Sequence, residues 1–179
     1  MRMILYILSI LAANVITASI QPVAFGSFIV PAGTFLIGVT FILRDMVQNS
    51  IGKKRTYGVI IIALILSAIT SYILGDTLYI VLASALSFVF SEASDTEIYS
   101  RLKGTIVKRV AVSGLIGGTL DSCIFVIVGL SPIGLDFIPW EAVPSAIFSQ
   151  MIVKGILQIA GASLLNIQKF KRVFQEEAI

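Results

Sequence analysis

The chain has no histidine and a single cysteine, Cys123, among its 179 residues. Without histidine it lacks the commonest metal ligand and the side chain best suited to shuttle protons near neutral pH. One cysteine excludes a disulfide framework within the chain. Charge is scarce as well. Asp, Glu, Lys and Arg make up 13% of the residues, against roughly 25% in a soluble domain. No phosphate-binding glycine loop, nucleophile motif or metal-ligand spacing occurs, so an enzyme has little support and no cofactor is expected. The net charge is only +3, and no nucleic-acid partner is expected.

Apolar residues are what the chain has in abundance, 57% of the total, with a mean hydropathy of +0.99. This is the composition of an integral membrane protein whose first partner is the lipid bilayer. A membrane-spanning helix needs about 20 mostly apolar residues. Six stretches fit: 3–20, 31–47, 57–74, 77–99, 106–130 and 142–165, the second with a short apolar part. They leave no room for a soluble domain. The expected fold is all-α, a six-transmembrane-helix bundle forming a single transmembrane domain over 1–179.

Basic residues orient the bundle, because loops rich in Lys and Arg stay cytoplasmic. Arg44, Lys53, Lys54 and Arg55 fall between helices 2 and 3, and Arg101, Lys103, Lys108 and Arg109 between helices 4 and 5. Arg2 precedes helix 1, and Lys169, Lys171 and Arg172 follow helix 6. The alternate connections (21–30, 75–76 and 131–141) contain neither residue type. Both termini are therefore expected in the cytoplasm.

Helix 1 places Asn14, Thr17 and Gln21 on one face, which sets it apart from a cleaved signal peptide. The 21–33 segment holds Pro22, Gly26, Pro31 and Gly33. It reads either as an outer loop with a capped helix start or as a broken element like those around transporter sites.

Helix 4 carries Ser84, Ser87, Ser91 and Asp95 along one stripe, with Glu92 at its edge. Helix 5 carries Ser113, Gly117, Asp121 and Phe125 at steps of four, and helix 6 carries Gln150, Lys154 and Gln158 likewise. These stripes cannot all face lipid and should converge on an interior. Small residues at such spacing commonly serve helix packing, whereas ionisable residues within a membrane point to function. At about 1.5 Å per residue, Asp121 falls toward the outer side and Lys154 near mid-depth. The two form either a pair that neutralises two buried charges or part of a site. Arg44 and Asp45 either cap helix 2 or form a cytoplasmic gate. Glu97 is expected at the solvated interface. Tyr6, Tyr57, Tyr79 and Trp140 lie near helix ends as interfacial anchors do, with Trp140 also a pocket-wall candidate. Asp95–Tyr99 and Asp121–Phe125 share the order Asp, hydroxyl, any, Ile, aromatic, which suggests that both acids meet a similar need.

The stretches PAGTFLIGVTFILRDMVQNSIGKK, SFVFSEASDTEIYSRLKG and RVAVSGLIGGTLDSCIF resemble the queuosine precursor transporters, the vitamin uptake transporter (VUT) group. The resemblance covers most of the chain. Asp45, Gly52, Lys53 and Lys54 match the acid, glycine and basic residues that follow a Thr-Phe-rich helix in the family. Asp95 matches an acid before an aromatic and basic loop. Ser113, Asp121, Ile124 and Phe125 match a further run, and Lys154 matches a lysine in helix 6. Two positions depart: Asn49 stands where many members have Glu, and Glu92 where many have Gln. Both alter the charge of the site.

The resemblance implies import of 7-cyano-7-deazaguanine or 7-aminomethyl-7-deazaguanine across a prokaryotic inner membrane. A guanine-like edge offers adjacent N–H donors that one carboxylate accepts in pairs, and a carbonyl to which Lys or Gln donates. The candidate substrate-binding residues are Asn14, Asp45, Phe88, Glu92, Asp95, Asp121, Phe125, Gln150, Lys154 and Gln158. The alternative is a substrate-binding subunit of an energy-coupling-factor transporter, partnered by ATPases. Such subunits dock through small residues on helix 1, of which Ser9, Ala13 and Thr17 give a loose version. A homo-oligomer is compatible with either reading.

Overall fold

The computed structural model describes residues 1–21, 23–25 and 28–164. Six helices follow in chain order: α1 (Arg2–Ser19), α2 (Thr34–Ile51), α3 (Lys53–Ile73), α4 (Leu78–Arg101), α5 (Ile106–Ile124) and α6 (Val143–Leu164). Six π-helical residues, Phe125–Leu130, extend α5, and a 3-10 turn, Trp140–Ala142, leads into α6. Each expected helix is present.

One feature departs from an all-α reading. Between α1 and α2 the chain forms a two-stranded antiparallel hairpin, β1 (Val23–Phe25) and β2 (Phe28–Val30), with Val23 opposite Val30. These six positions are Val, Ala, Phe, Phe, Ile and Val, a composition that favours strands, but Pro22 and Gly26 drew the reading toward a loop. Pro22, Gly26 and the tail with Lys169, Lys171 and Arg172 lie outside the described residues.

Local chemistry sets the helix boundaries. Thr77 and Thr105 cap α4 and α5, their side-chain oxygens accepting from the backbone N–H of Ile80 and Lys108 at 3.4 and 3.3 Å. Such caps satisfy donors that the first turn leaves open. Only Gly52 separates α2 from α3, and it sits at φ 79°, a conformation glycine adopts without the steric cost of a Cβ. The α2–α3 connection is therefore tighter than the sequence suggested, with α2 running on to Ile51 and α3 starting at Lys53.

Among the described residues, five helical segments are long and apolar enough to cross a membrane: Arg2–Ser19, Lys53–Ile73, Leu78–Arg101, Ile106–Leu130 and Trp140–Ser163. Those spans make this a multi-pass membrane protein. Helix α2 falls short of that apolar standard because it carries Arg44, Asp45, Gln48 and Asn49. It packs against each of the other five helices. A helix so enclosed has little lipid to meet, and its polar groups find protein partners instead. The periphery shows the reverse pattern, with Ile61, Ile65, Leu82, Phe90, Phe148 and Ile156 all exposed.

Candidate functional site

The polar stripes do converge. Ser87, Ser91, Glu92 and Asp95 of α4, Ser113 and Asp121 of α5, and Gln150, Lys154 and Gln158 of α6 are all buried. They divide between a cavity and two charged clusters at its base and side.

The cavity encloses about 800 Å³ of open space when the solvent at its mouth is counted. Thr17, Pro31, Thr34 and Asp76 line it toward one end of the bundle, and Phe41 and Glu92 lie deep inside it. Asn14, Phe88, Asp121, Phe125 and Gln150 form part of its wall. Six of the ten expected residues thus share one cavity. Asp45, Asp95, Lys154 and Gln158 do not line it.

Asn14 is held by α3, its amide nitrogen donating to the Ser67 carbonyl at 3.0 Å and the Ser67 hydroxyl at 2.8 Å. At the mouth Ser71 hydrogen-bonds Asp76. Phe88 and Phe125 supply two aromatic surfaces, from α4 and from the π-helical end of α5. π-Helical turns inserted in α-helices recur at functional sites because they redirect side chains. Here the turn begins at Phe125 itself.

The first charged cluster joins α5 to α6. Lys154 Nζ donates to Asp121 Oδ2 at 2.6 Å, Ser122 Oγ at 2.8 Å and Gln150 Oε1 at 3.3 Å. An ammonium has three protons, and all three have acceptors. Because the ammonium claims Gln150 Oε1, the Gln150 Nε2 donor is left over, buried and without a partner among the described residues. Gln150 and Asp121 both line the cavity, so Lys154 acts on it from behind these two side chains. Lys154 thus pairs with Asp121, and Asp121 also lines the cavity; the Ser113 hydroxyl is buried without a hydrogen-bond partner among the described residues.

Gln158, one turn further along α6, has a different task. Its Nε2 donates to the Val110 carbonyl at 2.8 Å, and a Cβ on Gly114 would collide with its amide. It ties α6 to α5 away from the cavity.

The second cluster surrounds Arg44, which is wholly buried. Its Nη1 lies 3.1 Å from Asp45 Oδ1, its Nε 3.2 Å from Glu92 Oε2, and its Nη2 pairs with Asp95 Oδ2. Nη1 also donates to Gln48 at 2.9 Å and to the Thr96 hydroxyl at 3.2 Å. Gln48 continues the seam, donating to the Ser100 hydroxyl at 2.8 Å. The sequence reading left Arg44 as a cap or gate, but it is the hub on which three of the expected acids meet. An arginine beside an aspartate inside an apolar run was the available signal; its partners on α4 lie about fifty positions away.

Three further side chains take positions outside the cavity. Trp140 is half exposed and does not reach it. Glu97 accepts from Lys53 at 2.5 Å, Arg101 at 3.2 Å and Tyr57 at 3.0 Å, a partly exposed pairing as expected at an interface. Tyr6, expected as an anchor, is fully buried beside Glu92.

A bundle of apolar-surfaced helices around a polar, aromatic-walled cavity defines a membrane protein that handles a small solute. The model of the family described as "Putative vitamin uptake transporter" matches residues 70–167, and the chain belongs to that family. No curated protein and no solved structure matches it.

Proposed function

We propose that the chain imports a queuosine precursor, 7-cyano-7-deazaguanine or 7-aminomethyl-7-deazaguanine, through the cavity that all six helices help to line. The supporting observation is that Asp121 and Gln150 both line the cavity and are held by the same Lys154 ammonium. One offers a carboxylate acceptor and the other an unpartnered N–H donor, on facing helices and braced by the same lysine. A deazaguanine edge presents the complementary pattern, adjacent N–H donors next to a carbonyl. Phe88 and Phe125 supply flat apolar surfaces against which the ring stacks. Asn14 adds an amide to the wall opposite.

In this reading all six helices form one transmembrane unit in a prokaryotic inner membrane, both termini face the cytoplasm, and α2 spans despite its charges. The mouth at Pro31 and Asp76 then opens outward, and the Arg44 cluster closes the route inward. The energy-coupling subunit reading meets a partly covered surface on α1. A Cβ at Gly33 would collide with Thr17 and the Ala13 backbone, and Ala13 is buried there, while Ser9 is half-buried and Thr17 exposed.

Uptake of labelled 7-deazaguanines into cells lacking their own importer, with this chain expressed alone, tests the reading. The expected result is accumulation that Asp121→Asn reduces by about tenfold or more, as loss of a charged hydrogen-bond acceptor implies.

A further inference from the structure

The Arg44 cluster holds three carboxylates against one guanidinium. Fully ionised, it would keep two uncompensated negative charges in a site where Arg44, Asp45 and Asp95 are 0% exposed and Glu92 is 1% exposed. Burying an unpaired charge costs several kcal/mol, and a carboxyl group escapes that cost by taking up a proton. Asp45 Oδ2 and Asp95 Oδ1 have no hydrogen bond among the described residues, so the guanidinium does not saturate its acids.

Of the three, Glu92 alone also lines the cavity. The groups facing it are Tyr6 from α1, Arg44 and Asp45 from α2, and Asp121 from α5. Asp95 lies one turn along its own helix. Lys154 of α6 is spent on Asp121, and α3 contributes only the uncharged Ser67 to the cavity wall. Among the described residues the cavity surface holds Asp76, Glu92 and Asp121 and no Lys or Arg. On the other side of Arg44 the seam continues through Gln48 to Ser100, which is exposed. Glu92 therefore stands between a cavity open to one end of the bundle and a polar seam leading to the other.

We propose that Glu92 is a proton-loading group. Its carboxylate takes a proton from water in the cavity and becomes a neutral acid, which lowers the surplus charge of the cluster by one. It returns the proton to water on the Ser100 side when the bundle changes conformation, so that solute movement is coupled to the proton gradient. This inference rests on the transport reading of the same cavity.

Two measurements on the purified, reconstituted protein test it. The first needs no solute. Infrared difference spectroscopy across a pH titration is expected to show a protonated-carboxyl band at neutral pH that Glu92→Gln removes and Glu92→Asp retains at a shifted frequency. A band that survives Glu92→Gln would assign the proton to another acid and overturn the proposal. The second compares proton-gradient-driven uptake with solute exchange in proteoliposomes. The driven-to-exchange ratio is expected to fall about tenfold or more in Glu92→Gln, because an uncoupled carrier can only equilibrate its solute, and to recover in Glu92→Asp. An unchanged ratio would overturn the coupling. If 7-deazaguanines neither bind nor exchange in the parent protein while the Glu92 band is present, the solute assignment fails and the proton site stands.

Discussion

The two buried charged clusters are built on opposite principles. Around Lys154, one cation meets one carboxylate, and the remaining protons go to a hydroxyl and an amide oxygen. Around Arg44, one cation meets three carboxylates. The first arrangement is neutral and its ammonium fully bonded, which suits a fixed brace holding Asp121 and Gln150 at the cavity wall. The second carries surplus charge unless protons are bound, which suits a group whose state changes. Within a membrane, where water cannot compensate for an unpaired charge, that difference in balance separates a fixed binding wall from a group that can change its charge.

Removing the hub should have the largest effect. Arg44→Met leaves three buried acids without a cation, and breaking a buried pair in this way costs about 3–5 kcal/mol. The folded yield in detergent should collapse, with thermal unfolding read by tryptophan fluorescence or aggregation. A yield equal to that of the parent would mean that the acids are already neutral without Arg44.

The Lys154 brace should respond differently, because its charge is balanced. Lys154→Ala strands Asp121 and should abolish uptake, with destabilisation of about 3 kcal/mol. The charge-swapped pair Asp121→Lys with Lys154→Asp should recover folding, measured by the same unfolding assay. Full uptake by either single variant would remove the pair from the mechanism.

Asp95→Asn sharpens the contrast further. It removes one surplus charge while keeping a hydrogen-bonding group of the same shape, so stability should change by about 1 kcal/mol or less. Solute affinity, measured by calorimetry, should be unaltered because Asp95 does not line the cavity. A tenfold loss of affinity would move Asp95 into the binding wall. Glu97→Ala, at the partly exposed Lys53 and Arg101 pairing, should change neither uptake nor unfolding, and serves as the charged control.

Much of this was legible from residue order. Hydropathy located the helices because lipid imposes length and apolarity on each segment. The four-residue steps of Ser87, Ser91 and Asp95, and of Gln150, Lys154 and Gln158, marked the buried faces because a helical stripe must face one way. What those faces meet was less accessible. Arg44 is contiguous only with Asp45, and its pairing with Glu92 and Asp95 depends on the packing of α2 against α4. Gln158 and Lys154 share one stripe and one expectation, yet Gly114 draws the Gln158 amide onto the Val110 carbonyl and away from the cavity. Periodicity gives a residue's face, while depth along that face decides what it touches.

The most direct test of the central claim is uptake of labelled 7-deazaguanine by cells that lack their own importer and express this chain alone. The account predicts accumulation that depends on Asp121 and Gln150 and needs no partner ATPase. Binding by the purified protein without uptake would instead favour an energy-coupled subunit, and neither binding nor uptake would contradict the solute assigned to the cavity.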